Sequence, residues 1–131
     1  MRRAWCSRRC HDRRRIAEAV APYRDAWTLR RAKLGEASPE TNAARIKYAH
    51  ALAAGDPAAA LALLGDVEAL PDDLRGLAVL TRAQVAVTLG GDPVAITEDL
   101  RQARVLITGG TEVEAILRRE LDALTHRASP R

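Results

Sequence analysis

Phenylalanine is absent from this chain, aromatic residues make up 3% of it, and a single methionine accompanies two tryptophans and two tyrosines. A core within 131 residues must then be built from Leu, Val, Ile and alanine, which alone fills 26 positions. Alanine favours helix and lets helix backbones approach closely, whereas strands draw on β-branched and aromatic runs that are scarce here. The expected fold class is all-α. Cysteine is scarce too: Cys6 and Cys10 are the only two, too few for a disulfide framework. No run approaches the ~18–20 apolar residues of a membrane span. The early arginines precede no apolar stretch of a secretory signal, so the expected compartment is the cytoplasm. A Gly-rich phosphate loop, a His-Glu-x-x-His pattern and a nucleophile motif are all lacking. The chain is therefore read as non-enzymatic, with no cofactor.

Charge is present but unevenly spread. Residues 1–33 carry eleven Arg/Lys against three Asp/Glu, a local net of +8, while residues 34–131 net −4. Only the first segment is able to attract nucleic acid or anionic lipid. Lysine contributes 2 of the basic residues and arginine 19, a bias associated with high-GC bacterial genomes.

The repeated element is the tripeptide Gly55-Asp56-Pro57, which recurs 36 residues later as Gly91-Asp92-Pro93. Each copy joins two Ala/Leu/Val-rich runs of helical length. Glycine can close a helix in the left-handed conformation, aspartate can cap the next one, and proline fits its first position. Around these turns the chain divides into a basic, loose tail over 1–12 and one helical domain over 13–131. From Arg13 to Leu34, Ile16, Val20, Tyr23, Trp27 and Leu34 recur at three- and four-residue steps, an apolar stripe that keeps its phase across Pro22. A kinked but continuous helix is expected there, with Tyr23 and Trp27 in the core. Ser38-Pro39-Glu40 starts a helix to about Ala54. The next is expected over 57–69, ending before Pro71, and Asp72 or Asp73 caps another to about Leu89. A helix from 93 to about 107 stops at Gly109-Gly110. Thr111 to Glu114 has the form of a capping box opening a last helix, with Val113, Ile116, Leu117, Leu121 and Leu124 on one face.

Residues 40–108 resemble two tetratricopeptide-type repeats, whose period is close to 34 residues. Gly55 takes the turn position of the first unit, Ala60 a small position, Leu64 a large apolar one, and Pro71 closes it. In the second, Gly90 as the turn glycine puts Ala83 and Ala95 at the small positions. Tyr48 departs from the pattern, standing where a small residue is usual, and the second turn carries one residue more. The resemblance implies antiparallel helical hairpins stacked as a short solenoid, the alternative being a divergent helical bundle. It also implies a protein–protein or peptide interaction module, a scaffold that acts through the first helices of its hairpins, as the helical-repeat part of a bacterial regulator. In that register Asn42, Arg45 and Ala49 of the first unit face the partner, and with Gly91 in place of Gly90 setting the phase of the second unit, Ala78, Thr81 and Val85 follow. Asn42 and Arg45 are suited to a peptide carbonyl or a carboxylate, because arginine offers a fork of donors.

Two further groups invite chemistry. Arg8, Arg9, Arg13, Arg14 and Arg15, with Trp5 nearby, support the alternative of a small nucleic-acid-binding protein, though no recognition module accompanies the charge. Cys6, Cys10 and His11 offer three ligand atoms where structural zinc normally takes four. They are read as reduced thiols beside a histidine, with no metal.

Overall fold

A computed structural model describes the backbone of residues 2–108 and 111–128, and the side chains from residue 15 onward except those of 16, 109, 110, 113 and 128–131. The described residues form an all-α bundle of six helices: α1 (Arg2–Leu34), α2 (Pro39–Leu52), α3 (Pro57–Leu64), α4 (Asp72–Leu89), α5 (Pro93–Leu106) and α6 (Glu112–Ala128). A 3-10 turn, Val67–Ala69, lies between α3 and α4. Among the described residues there is no strand. The backbone of α1 is helical from Arg2, where a loose tail is expected, and it runs through Pro22 without a break. The Gly109-Gly110 stop, Val113 and the chain after Ala128 lie outside the described residues.

The caps carry out what their residue types suggest. Asp56 Oδ1 accepts from the Ala59 amide at 3.2 Å, and Asp92 Oδ1 from the Val94 amide at 3.0 Å. Prolines 39, 57 and 93 each occupy the first turn, where their missing N–H has no partner to lose. Thr111 Oγ1 accepts from the Glu114 amide at 3.2 Å and donates to the Glu114 carboxylate, so the box closes side chain to side chain. Ser38 instead turns its hydroxyl to Glu40 at 2.7 Å. Asp72 and Asp73 sit in the first turn of α4 behind Pro71, which holds the cap position.

The two Gly-Asp-Pro turns differ. Left-handed backbone falls on Gly35, Gly65 and Gly90, and Gly55 is not among them. At the second turn Gly90 (φ 72°) closes α4, and the Gly91 amide reaches back to the Ala86 carbonyl at 2.7 Å. The Gly90 amide reaches Val87, completing a Schellman arrangement. At the first, α2 runs out through right-handed Ala53, and the Gly55 and Asp56 amides both return to the Leu52 carbonyl. The expected helix over 57–69 is cut in two by Gly65, whose positive φ ends α3 after Leu64.

Packing follows chain order. Helix α1 packs on α2, α2 on α3 and α4, α3 on α4, α4 on α5 and α6, and α5 on α6. The main core joins Ile46, Leu64, Val79, Leu80, Leu100 and Leu121, and Leu64 and Leu80 are about 1% exposed or less. Between them stand alanines with no exposure at all, Ala49, Ala78, Ala83 and Ala103. These bring the helix backbones close. Gly76 does the same where α4 meets the end of α5: a Cβ there would lie 3.1 Å from Ile107 and 3.2 Å from Leu106.

The stripe on α1 is only partly used. Val20 is buried, but Tyr23 is 44% exposed and Leu34 is exposed. A helix with one neighbour covers a narrow strip, and residues one turn off it stay in water. Trp27 is partly buried against the Tyr48 ring, 5.6 Å between centroids. On α6, Leu121 and Leu124 are buried while Ile116 remains 47% exposed.

Candidate functional site

Among the pockets along α2, two lie on different sides of it, each with polar groups in a lining drawn from three helices. The first, about 230 Å³, lies between the end of α1, the start of α2 and the end of α3. Its walls are Trp27 and Arg31 from α1, Glu36 from the connecting loop, Thr41, Asn42 and Arg45 from α2, and Ala62 and Leu63 from α3. Helices α1 and α3 both pack on α2, and the side chain of Arg45 enters the cleft they leave. Its terminal nitrogen lies 3.1 Å from where a Cβ on Gly65 would stand, so the glycine that ends α3 also makes room for the guanidinium. The Arg31 guanidinium sits 4.2 Å above the Trp27 ring, a cation–π contact that holds it at the pocket wall. Thr41 Oγ1 and Arg45 Nε are buried with no hydrogen-bond partner.

The second pocket, about 240 Å³, lies where α2, α4 and α6 come side by side. It is lined by His50, Ala53 and Ala54 of α2, Gln84 and Thr88 of α4, and Glu120 and Arg127 of α6. His50 Nε2 and Glu120 Oε2 meet at 2.9 Å across it. The hydrogen bond with His50 is the main cause that holds the Glu120 carboxyl below its ordinary 4.5. Burial opposes that, and the charge of His50 and a hydrogen bond from Gln84 add to it. The pair ties α2 to α6, which are otherwise separated by α4.

The residues expected to face a partner divide. Asn42 and Arg45 are partly buried and line the first pocket together. Ala49, Ala78 and Thr81 have no exposure and Val85 is 2% exposed, so they lie in the interior rather than on the surface where they are expected. Ala49, Ala78 and Val85 pack in the core clusters, and Thr81 returns its hydroxyl to the Leu77 carbonyl at 2.8 Å. The open positions stand one residue away: His50 in place of Ala49, and Gln84 in place of Val85. One residue turns a helix face by about 100°, enough to exchange interior for surface. The signal was present as polar spacing, Gln84 and Thr88 being four apart on one face.

The side chains of Arg8, Arg9, Arg13 and Arg14, and those of Cys6, Cys10 and His11, lie outside the described residues. Arg15 is described and exposed. Among the described residues no group of three His, Cys, Asp or Glu is placed to hold a metal ion. Nor is any helix among them long and apolar enough to cross a membrane. Neither a family model, nor a curated protein, nor a solved structure matches the chain.

Proposed function

We propose that the chain is a non-enzymatic peptide- or protein-binding module of tetratricopeptide-like build, using the open side of α2, α4 and α6. One observation carries this reading: α4 touches α2 and α6 as well as α3 and α5. That is the neighbour order of hairpins stacked one on the next, in which alternate helices line one face. The polar groups of His50, Gln84, Thr88, Glu120 and Arg127 lie on that face in one pocket. They supply donors and acceptors for an extended backbone, as a peptide groove requires.

A random peptide display library selected on the full chain tests the reading. Enriched peptides should bind saturably, lose affinity with Gln84→Ala or His50→Ala, and leave the thermal midpoint of the Gln84 variant unchanged. Failure to enrich any peptide would overturn it. So would enriched binding that ignores both substitutions. If the arginine-rich start of α1 instead governs binding, nucleic acid should bind the chain with an affinity that falls steeply with salt.

A further inference from the structure

The pocket at Arg45 is on the other side of α2 from that face. Five residues separate Arg45 from His50, and five residues carry a helix through about 140° beyond a full turn. What marks this pocket is hydrogen-bonding capacity left unused. Thr41 is 2% exposed, and its hydroxyl has no partner. Arg45 Nε is equally buried and unmet, and neither Arg45 nor Arg31 makes an ion pair with a described residue. Burying such groups unpaired is costly, and native structures pair nearly all of them. Asn42 adds an amide on the same wall. The donors are thus two guanidinium forks, a hydroxyl and a carboxamide, around a space of about 230 Å³.

Charge selects the occupant. Arg31 and Arg45 face Glu36 across the lining, which leaves one positive charge for the ligand to neutralise. A monoanion matches this, whereas a phosphate dianion leaves an excess of negative charge. Guanidinium forks match the two in-plane oxygens of a carboxylate. The apolar remainder of the lining, Trp27, Ala62 and Leu63, gives a short aliphatic group attached to that carboxylate somewhere to lie. We infer that this pocket binds the carboxylate of a small acid or peptide, held by Arg31, Arg45, Asn42 and Thr41, with its aliphatic part against Trp27.

Trp27 makes the binding observable. In the full chain carrying Trp5→Phe it is the sole tryptophan, and an anion drawing Arg31 off its ring alters its emission. N-acetyl-leucine, a free acid, should change that emission saturably, and N-acetyl-leucinamide should not. Acetyl-Ala-Glu-Ala-amide against its Gln counterpart tests a side-chain source in place of a chain terminus. Response to one pair identifies the source, and response to both shows that the pocket reads the carboxylate alone. Thr41→Val keeps the shape of the side chain and removes the hydroxyl. It should leave the melt unchanged or raised, because an unsatisfied group is gone, and weaken the acid about tenfold. Arg31→Met, at an exposed position, should fold normally and, with binding followed by calorimetry because the cation over Trp27 is gone, weaken the acid at least as much. Glu36→Gln should tighten it by removing the competing charge.

Three results would each overturn the inference: no saturation by either acid at tens of millimolar, an equal response to acid and amide, or binding indifferent to both Thr41→Val and Arg31→Met. Inorganic phosphate binding as tightly as the acids would do so too, by showing a site for any anion. The outcome is independent of the opposite face, since His50 and Gln84 are not part of this pocket.

Discussion

Arg82 shows how much one side chain of this domain can hold. From α4 its Nε and terminal nitrogen grip both oxygens of Asp99 on α5, at 2.9 and 2.8 Å, and it reaches Glu68 of the 3-10 turn at 3.5 Å. Asp99 is 8% exposed, so that grip supplies the partner a buried carboxylate needs. Arg82→Ala should cost about 3 kcal/mol, near the low end for breaking a buried pair because the arginine itself is partly in water. Asp99→Asn should cost less, since Arg82 keeps Glu68 and solvent, and urea melts of the two variants would rank them. Spacing in the sequence gave no hint of this pair, because the partners are 17 residues apart on different helices. Glu120 makes a second residue-scale prediction. Its carboxyl is held below 4.5 in the fold, so the stability it contributes is full above the unfolded value. That stability is lost as pH falls through the lower, folded one. The gap in urea midpoint between the wild-type chain and Glu120→Gln should therefore narrow on acidification below pH 4.5. A gap that widens instead would mean that the carboxylate is not stabilised where it lies.

Helix ends were legible because their chemistry is local. Asp56, Asp92 and Thr111 cap as their types and spacing indicate, and Pro39, Pro57 and Pro93 stand where a helix begins. Helix faces were harder to read. With alanine at positions 43, 44, 49 and 51 of α2, the contrast between interior and surface is faint there, and Ala49, like Val85 on α4, lies in the interior. The break after α3 was missed although Gly65-Asp66 repeats the first two letters of the other turns. No proline followed to mark it as a boundary. Gly90 isolates the worth of one helix end. Nothing lies within 4 Å of where its Cβ would be, and its φ is 72°, so Gly90→Ala changes only backbone strain. It should cost about 1 kcal/mol, visible as a lowered urea midpoint with an unchanged slope. An unaltered midpoint would mean that the turn relaxes to another geometry.

For the molecule as a whole, the ends of the chain contribute unequally. The first buried side chain described is Val20, whereas α6 places Leu121 and Leu124 in the main core. Removing residues 1–15 should leave the thermal midpoint within a few degrees. Ending the chain before Thr111 should lower it sharply, because it strips Leu121 and Leu124 from the main core and bares the apolar surface they cover. Equal losses from the two truncations would show that the first half of α1 is held by packing after all. That each helix packs chiefly on its neighbours in the chain also governs time. Contacts so close in sequence demand little loop closure before they are rewarded, and chains of this kind fold in microseconds to milliseconds. After a pulse in urea too brief for proline isomerisation, refolding should be complete within a stopped-flow dead time of a few milliseconds. A newly made chain can therefore close each hairpin soon after its second helix emerges, leaving the alanine faces exposed only briefly before the next helix covers them.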